Sequence, residues 1–331
     1  MHWIFVGAST VASEFMIHAV RAQADCDVTW LVSGSSEHAA RYSSEHKIAR
    51  STSSIEEALS DNSVSCVYIS STNEKHFAQA MAAIAAGKHV LCEKPLALTL
   101  NEARQMVAAA HQADLVFGTN HHLRCSGSHR KIREMISDGE IGRVISVRVH
   151  HAVHLPKHLQ AWRINDASAG GGVIPDITVH NVDVVRFLLA EDPVEVVAQS
   201  EMSGMGVGVE DSCMSVWRMP SGAMVMSHES FTHPFAGTGL EIHGTQGSIV
   251  ATGVMTQQPV GSISLRNADG ERPIPFSDHS LYTEVVADFV SAVHCNGAAS
   301  ASGSDGIKSL AVALAVREAA QKGQSVSVNY E

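Results

Sequence analysis

The chain has 331 residues, 45% of them apolar and 17% charged, with a formal charge of −11. That length supports two domains, each with its own core, and the composition excludes a disordered chain. The acidic balance argues against nucleic acid or an anionic membrane as the main partner, while leaving room for positive potential in one groove.

No apolar run reaches the roughly 20 residues that cross a bilayer, so no membrane partner is expected. Met1 to Gly7 runs straight into a glycine turn and is expected as a first strand, not a signal peptide. The six cysteines (Cys26, Cys66, Cys92, Cys125, Cys213, Cys295) form no CxxC pair. Cys66 and Cys92 fall in expected buried strands, and a reducing cytoplasm fits these thiols best.

Through the first 120 residues strands and helices alternate. Short apolar runs at 3–6, 28–32, 66–69, 89–92 and 115–118 read as strands buried on both faces. Helical patterns fall between them at 10–22, 36–45, 55–59, 75–86 and 100–112, the last opened by a Thr99/Glu102 capping box. This alternation predicts a parallel, doubly wound sheet. Beyond residue 120 the pattern changes. A helix at 128–137, with a core stripe of Ile132, Met135 and Ile136, ends at Gly139. Alternating runs at 144–153, 194–201, 212–219, 223–230, 239–243 and 262–266 then predict antiparallel strands, interrupted by one helix at 177–189. Helices at 282–294 and 305–321 close the chain, with Asp305 as N-cap and Gly323 as terminator. The expected fold class is α/β: a dinucleotide-binding Rossmann domain over 1–120, then a substrate-binding α+β domain over 121–331 built on a large open, mainly antiparallel sheet. Its outer face needs either a partner subunit, hence self-association, or polar side chains; strand alternation does not decide which.

The turn after the first strand, Gly7-Ala8-Ser9-Thr10-Val11-Ala12, keeps one glycine of G-x-G-x-x-G, with small Ser9 and Ala12 in the other two places. Backbone N–H groups at the following helix start, with hydroxyls of Ser9 and Thr10, would cradle a pyrophosphate. The second strand ends in Ser33-Gly34-Ser35-Ser36, without the carboxylate that usually binds the ribose diol of NAD. Hydroxyls, a helix N-terminus, His38 and Arg41 would meet a 2′-phosphate instead, which favours NADP(H), with NAD(H) at lower preference. Ser71, Thr72, Asn73 and His76 after the third apolar run, and Asn120 after the fifth, stand where an open sheet lines its ligand crevice.

Cys92-Glu93-Lys94-Pro95 closes the fourth of these strands, and Asp176 and His180 follow downstream at i,i+4 spacing on an expected helix. Hydride transfer to a ketone needs a general acid near neutral pKa and a positive group against the developing charge. His180 would supply the first and Lys94 the second, with Asp176 orienting the imidazole. Gly170-Gly171-Gly172 would let backbone approach a ligand closely. HExxH and clustered cysteines are absent, so no metal is expected. On one strand His150, Ala152 and His154 oppose His151 and Val153; one face reaches a polyhydroxylated substrate or the histidines are simply solvated, and His151 and His154 are the candidates.

Together the glycine loop, Ser71-Thr72-Asn73 with His76, Gly87-Lys88-His89-Val90-Leu91-Cys92-Glu93-Lys94-Pro95, the triple glycine and Asp176-x-x-x-His180 resemble the Gfo/Idh/MocA oxidoreductases across essentially the whole chain. The resemblance implies Lys94 near the nicotinamide, His180 as acid/base with Asp176 supporting it, and a small sugar as substrate. It also implies that Asn120, Trp162, Arg163 and Tyr282 contact the cofactor or border the site, Trp162 and His180 facing the substrate. More narrowly, residues 118–124, 158–163 and 254–257 are similar to a branch of the family that reduces 1,5-anhydro-D-fructose to 1,5-anhydro-D-mannitol with NADPH. His38 departs from that branch, which tends to carry arginine there, and this softens the implied NADP preference. Other family members oxidise sugars or inositols with the same residues, or hydrolyse glycosides with a retained cofactor. Still others are non-catalytic NAD(P) sensors, a role that has no need of the Lys94/Asp176/His180 set.

Overall fold

In the computed structural model, which describes residues 1–331, the first unit contains β1 (His2–Val6), β2 (Asp27–Val32), β3 (Arg50–Thr52), β4 (Val64–Ile69), β5 (His89–Cys92) and β6 (Phe117–Thr119). They form one sheet in the order β3-β2-β1-β4-β5-β6, parallel throughout. The apolar runs are strands because both faces are covered: Trp3, Ile4, Phe5, Leu31, Val67 and Leu91 are all buried. β3 was not expected, being short, polar and at the sheet's edge. The capping box at Thr99 forms, the Thr99 hydroxyl accepting the Glu102 N–H while Glu102 reaches back to the Thr99 N–H.

The expected division at residue 120 holds on one side only. Met1–His121 form a compact unit together with Tyr282–Ile307, and His122–Leu281 form the other with Lys308–Glu331. Helix Leu281–Val293, expected in the second domain, packs on the Rossmann unit. Tyr282 stacks on Phe15 at 4.6 Å, Phe289 lies against Trp3 at 5.4 Å, and Gln23 donates to the Thr283 carbonyl. Ser302 bridges Gly118 at the β6 edge. The last helix begins at Gly303, so Asp305 is not its N-cap: Ser302 takes that role, its hydroxyl accepting the Asp305 N–H while the Asp305 carboxylate accepts the Ser302 N–H.

The second unit is built on β7 (Val144–His154), β8 (Glu195–Glu201), β9 (Ser212–Arg218), β10 (Met224–Ser230), β11 (Thr232–Gly244), β12 (Gly247–Thr252), β13 (Ser262–Asn267), β14 (Gly270–Ile274) and β15 (Val326–Ser327). Their order is β14-β13-β12-β11-β7-β10-β9-β8-β15, antiparallel except for the central β7–β10 pair. One face is apolar core: Val147 and Val149 of β7, Val225 of β10, Trp217 of β9 and Leu240 and Ile242 of β11. Helix Val179–Leu189, preceded by a π-helical turn over Ile174–Thr178, packs on that face. The helix is pinned by Asp183, which is buried and accepts two hydrogen bonds from Arg124 at 2.7 Å each. No helix is long and apolar enough to cross a membrane.

Candidate active site

Strand order places β1 beside β4, and the crevice for a dinucleotide in such a sheet opens outside the carboxyl ends of strands where their order reverses. The expected loop residues meet there. The Ser9 hydroxyl donates to Ser70 Oγ at 2.8 Å and accepts the Ala12 N–H at 3.2 Å, leaving the N–H groups of Thr10 and Val11 at the open end of the helix. Gly7 has φ +109°, and a Cβ there would stand 2.7 Å from Ser70 C and Ser71 N. The turn therefore needs glycine to press against the end of β4.

At the end of β2, Ser33 Oγ lies 2.9 Å from His38 Nδ1, so the imidazole is held at the strand end with Gly34 open beside it. Ser35, not a carboxylate, caps helix Ser36–His46 by accepting the His38 N–H. After β4, Ser71 donates to Gln79 and Thr72 to Glu74, and Asn73 opens a short 3-10 turn. His76 is fully buried, with Nδ1 2.9 Å from the Pro95 carbonyl and Nε2 3.2 Å from that of Ser71. Sequence placed it among cofactor contacts. With no exposed surface and both nitrogens engaged, it instead braces the Ser71 loop against the Lys94-Pro95 segment, and burial lowers its pKa.

Lys94 lies two residues beyond β5 and is half-buried. Its neighbour Glu93 accepts hydrogen bonds from Tyr68 Oη at 2.6 Å and from Asn120 Nδ2; burial raises the Glu93 pKa, opposed by those donors. Asn120 is buried at the end of β6, and its Oδ1 has no protein donor. An unmet acceptor beside Glu93, together with the glycine turn, fits a nicotinamide dinucleotide, whose carboxamide N–H groups are donors. Tyr282, also expected at the cofactor, is buried against Phe15.

In the second unit Asp176 lies within the π-helical turn and His180 in the α-helix that continues it, so the pair straddles a change of helix type. Asp176 Oδ2 lies 3.4 Å from Arg163 Nε, an ion pair absent from the sequence reading. The Arg163 guanidinium covers the Trp162 ring at 4.7 Å. The His180 ring meets His122 edge-on at 5.1 Å.

Two of the three consecutive glycines are required by packing within the protein. A Cβ on Gly171 would fall 2.6 Å from the Trp162 carbonyl oxygen, and one on Gly172 2.5 Å from the Glu210 carboxylate. That close approach sets the Trp162–Ile164 turn beside the loop leading into the π-helical turn that carries Asp176. His151 and His154, both expected at the substrate, are three residues apart on β7 and so leave opposite faces. His151 shares the core-side face of Val147 and Val149, while His154 is exposed on the other.

Sequence reading missed Glu229, which is fully buried on β10 and receives Asn181 Nδ2 at 2.8 Å. The available signal was alternation: Val225, Ser227 and Glu229 occupy successive core-side positions of one strand.

Residues 1–121 match an oxidoreductase family with an NAD-binding Rossmann fold, and residues 129–250 match the GFO/IDH/MocA C-terminal domain. Over 98% of both chains, the protein is 51% identical to the 1,5-anhydro-D-fructose reductase of Ensifer adhaerens. The chain belongs to the Gfo/Idh/MocA oxidoreductase family. It is also 32% identical to the inositol 2-dehydrogenase of Rhizobium meliloti strain 1021, covering 72% of this chain and 73% of that one. An aldose-aldose oxidoreductase from Caulobacter crescentus shares the fold, with a TM-score of 0.90 at 24% identity over 99% of each chain. Membership of the Gfo/Idh/MocA family makes this an oxidoreductase that uses a nicotinamide cofactor.

Proposed function

We propose that this protein reduces 1,5-anhydro-D-fructose to 1,5-anhydro-D-mannitol with NADPH as the preferred cofactor and NADH as the weaker one. The observation that carries this reading is the 51% identity, spread over 98% of the chain, to a reductase of that substrate. When bound, the nicotinamide supplies the hydride to the ketone carbon. Gly7, Ser9, Thr10, Val11 and Ala12 would form the pyrophosphate turn, the N–H groups of Thr10 and Val11 donating to it, and Asn120 Oδ1 would accept from the carboxamide. Ser33, Gly34 and His38 would meet the 2′-phosphate; β2 runs into Ser33-Gly34 and not into a carboxylate, the one nearby acid in sequence being Glu37 in the first turn of the next helix, which supports NADPH. Lys94 polarises the carbonyl oxygen and stabilises the developing alkoxide. His180 gives that oxygen its proton, with Asp176 positioned by Arg163 and in turn orienting the site. Trp162 and His151 would complete the substrate wall.

The test is the rate of NADPH oxidation with 1,5-anhydro-D-fructose, set beside NADH and a panel of ketoses, aldoses and inositols. Turnover confined to the anhydrofructose and faster with NADPH is the expected result. No reduction of it, with cofactor reduction by an inositol or aldose instead, would transfer the protein to the dehydrogenases, a second reading favoured by its 32% identity to an inositol 2-dehydrogenase. The outer face of the nine-stranded sheet carries exposed Val197, Met214, Val216, Met224 and Met226, which supports self-association through that face. Sedimentation of a Met226→Lys variant tests it. Six cysteines, none of them in a disulfide, support a reducing, cytoplasmic compartment.

A further inference from the structure

Glu229 has no part in the chemistry proposed above, yet the sheet places it directly under the helical segment that carries His180. It lies on β10 and is fully buried. Its cross-strand partners are Cys213 on β9 and His151 on β7, so all three side chains leave the sheet on one face. The π-helical turn over Ile174–Thr178 packs on β10 from that same side.

The carboxyl group is held by that segment. Asn181 Nδ2 donates to Glu229 Oε1 at 2.8 Å and to Ser227 Oγ at 3.1 Å, and the Ser227 hydroxyl donates to the same carboxyl oxygen. The Thr178 hydroxyl lies against the carboxyl as well. Thr178 and Asn181 are fully buried, and His180 stands between them in sequence. Its two hydrogen-bond donors, Asn181 and Ser227, and the nearby Thr178 hydroxyl are all neutral, so the carboxyl bears its desolvation without an ion pair. Burial raises its pKa to about 7, with Ser227, Asn181 and Thr178 opposing the shift.

We propose that Glu229 is a positioning residue for His180, fixing the rotation of the 178–181 segment through its hydrogen bond to Asn181 and so the direction of the imidazole. The inference rests on His180 being the proton donor of the proposed reduction. Other ionisable groups on the elements around the carboxyl are His151 from β7, Cys213 from β9, and Asp176 and His180 from the turn and helix. An ionised Glu229 adds negative charge beneath the turn and favours the imidazolium form of His180; a protonated one removes that bias.

Glu229→Gln separates these roles, because it preserves the shape and the Oε1 acceptor but carries no charge at any pH. Two readouts are compared with the wild type: the pH profile of kcat for ketone reduction, and an NMR titration of the His180 ring, assigned by its loss in a His180→Asn variant. The expected result is a kcat about tenfold lower with the Kd for NADPH unchanged. The His180 midpoint should fall by about half a pH unit, and Glu229→Asp should restore the midpoint more than the rate. A folded Glu229→Gln variant with an unchanged His180 midpoint and an unchanged pH profile would overturn the proposal, and so would a change confined to thermal stability. If the wild type reduces no ketone, the proposed function fails on its own. The ring titration still decides the role of Glu229, because it needs no turnover.

Discussion

Replacing Gly7 by alanine introduces one methyl group at the point where β1 turns into the first helix, and two costs can be worked out there. The backbone stands at φ +109°, a region that L-residues enter at a cost of about 1–3 kcal/mol. The new Cβ would lie 2.7 Å from the backbone of Ser70 and Ser71, well inside the 3.4 Å at which ordinary contact begins. These are main-chain atoms at the end of β4, which is bonded into the sheet on both sides. Forcing extra volume against such a site costs a further ~1–3 kcal/mol. The total, about 4 kcal/mol, divides between folding and binding: whatever the turn relieves by moving off β4 is lost from the alignment of the Thr10 and Val11 N–H groups. Thermal unfolding of the cofactor-free protein and fluorescence titration with NADPH read the two shares on one sample. The Tm should fall by several degrees and Kd should weaken by at least about tenfold. A Gly7→Ala protein matching the wild type in both would refute the reasoning, since it would mean that the turn is neither strained nor close-packed.

Other consequences can be measured separately. His129 is fully buried, neither ring nitrogen has a hydrogen-bond partner, and burial holds its pKa at about 4 despite the nearby Asp183. The unfolded chain takes up that proton first as pH falls, so stability is lost between about pH 6.5 and 4, by up to roughly 3 kcal/mol. His129→Leu should flatten this acid arm of the urea-midpoint profile, and an unchanged slope would count against it. Glu229 has the opposite sign: with its pKa raised to about 7 by burial, stability is lost as pH rises from about 4.5 to 7. Urea denaturation above pH 7 should then find Glu229→Gln more stable than the wild type by up to roughly 3 kcal/mol. His38→Arg puts a guanidinium where the imidazole meets Ser33, and should raise the NADPH-to-NADH ratio of kcat/KM about tenfold; no change would place the 2′-phosphate elsewhere.

The Rossmann strands were legible because each is a short apolar run buried on both faces, and β1, β2, β4 and β5 fall within two residues of expectation at each end. The strands missed, β3, β12, β14 and β15, are short or largely polar, and three of them border a sheet edge, where the solvent-facing side dilutes the apolar signal. β11 runs from Thr232, seven residues before the alternation that marked it, because its first half is mostly exposed. The cofactor turn and the Lys94-Pro95 segment were visible as motifs. The partner of Asp176 was not, since Arg163 reaches it from a turn thirteen residues upstream.

What the sequence determined by itself was local: which segments form strands, where helices begin, and which motifs carry lysine, histidine and glycine. Those depend on periodicity, capping and backbone freedom within a few residues. Only the tertiary structure decided that Tyr282–Ile307 returns to the first unit, that Arg163 pairs with Asp176, and that Glu229 is sealed under the 178–181 segment. Each of these turns on which side chain a distant segment covers, and burial, not local pattern, sets the cost of a charge or the direction of a ring.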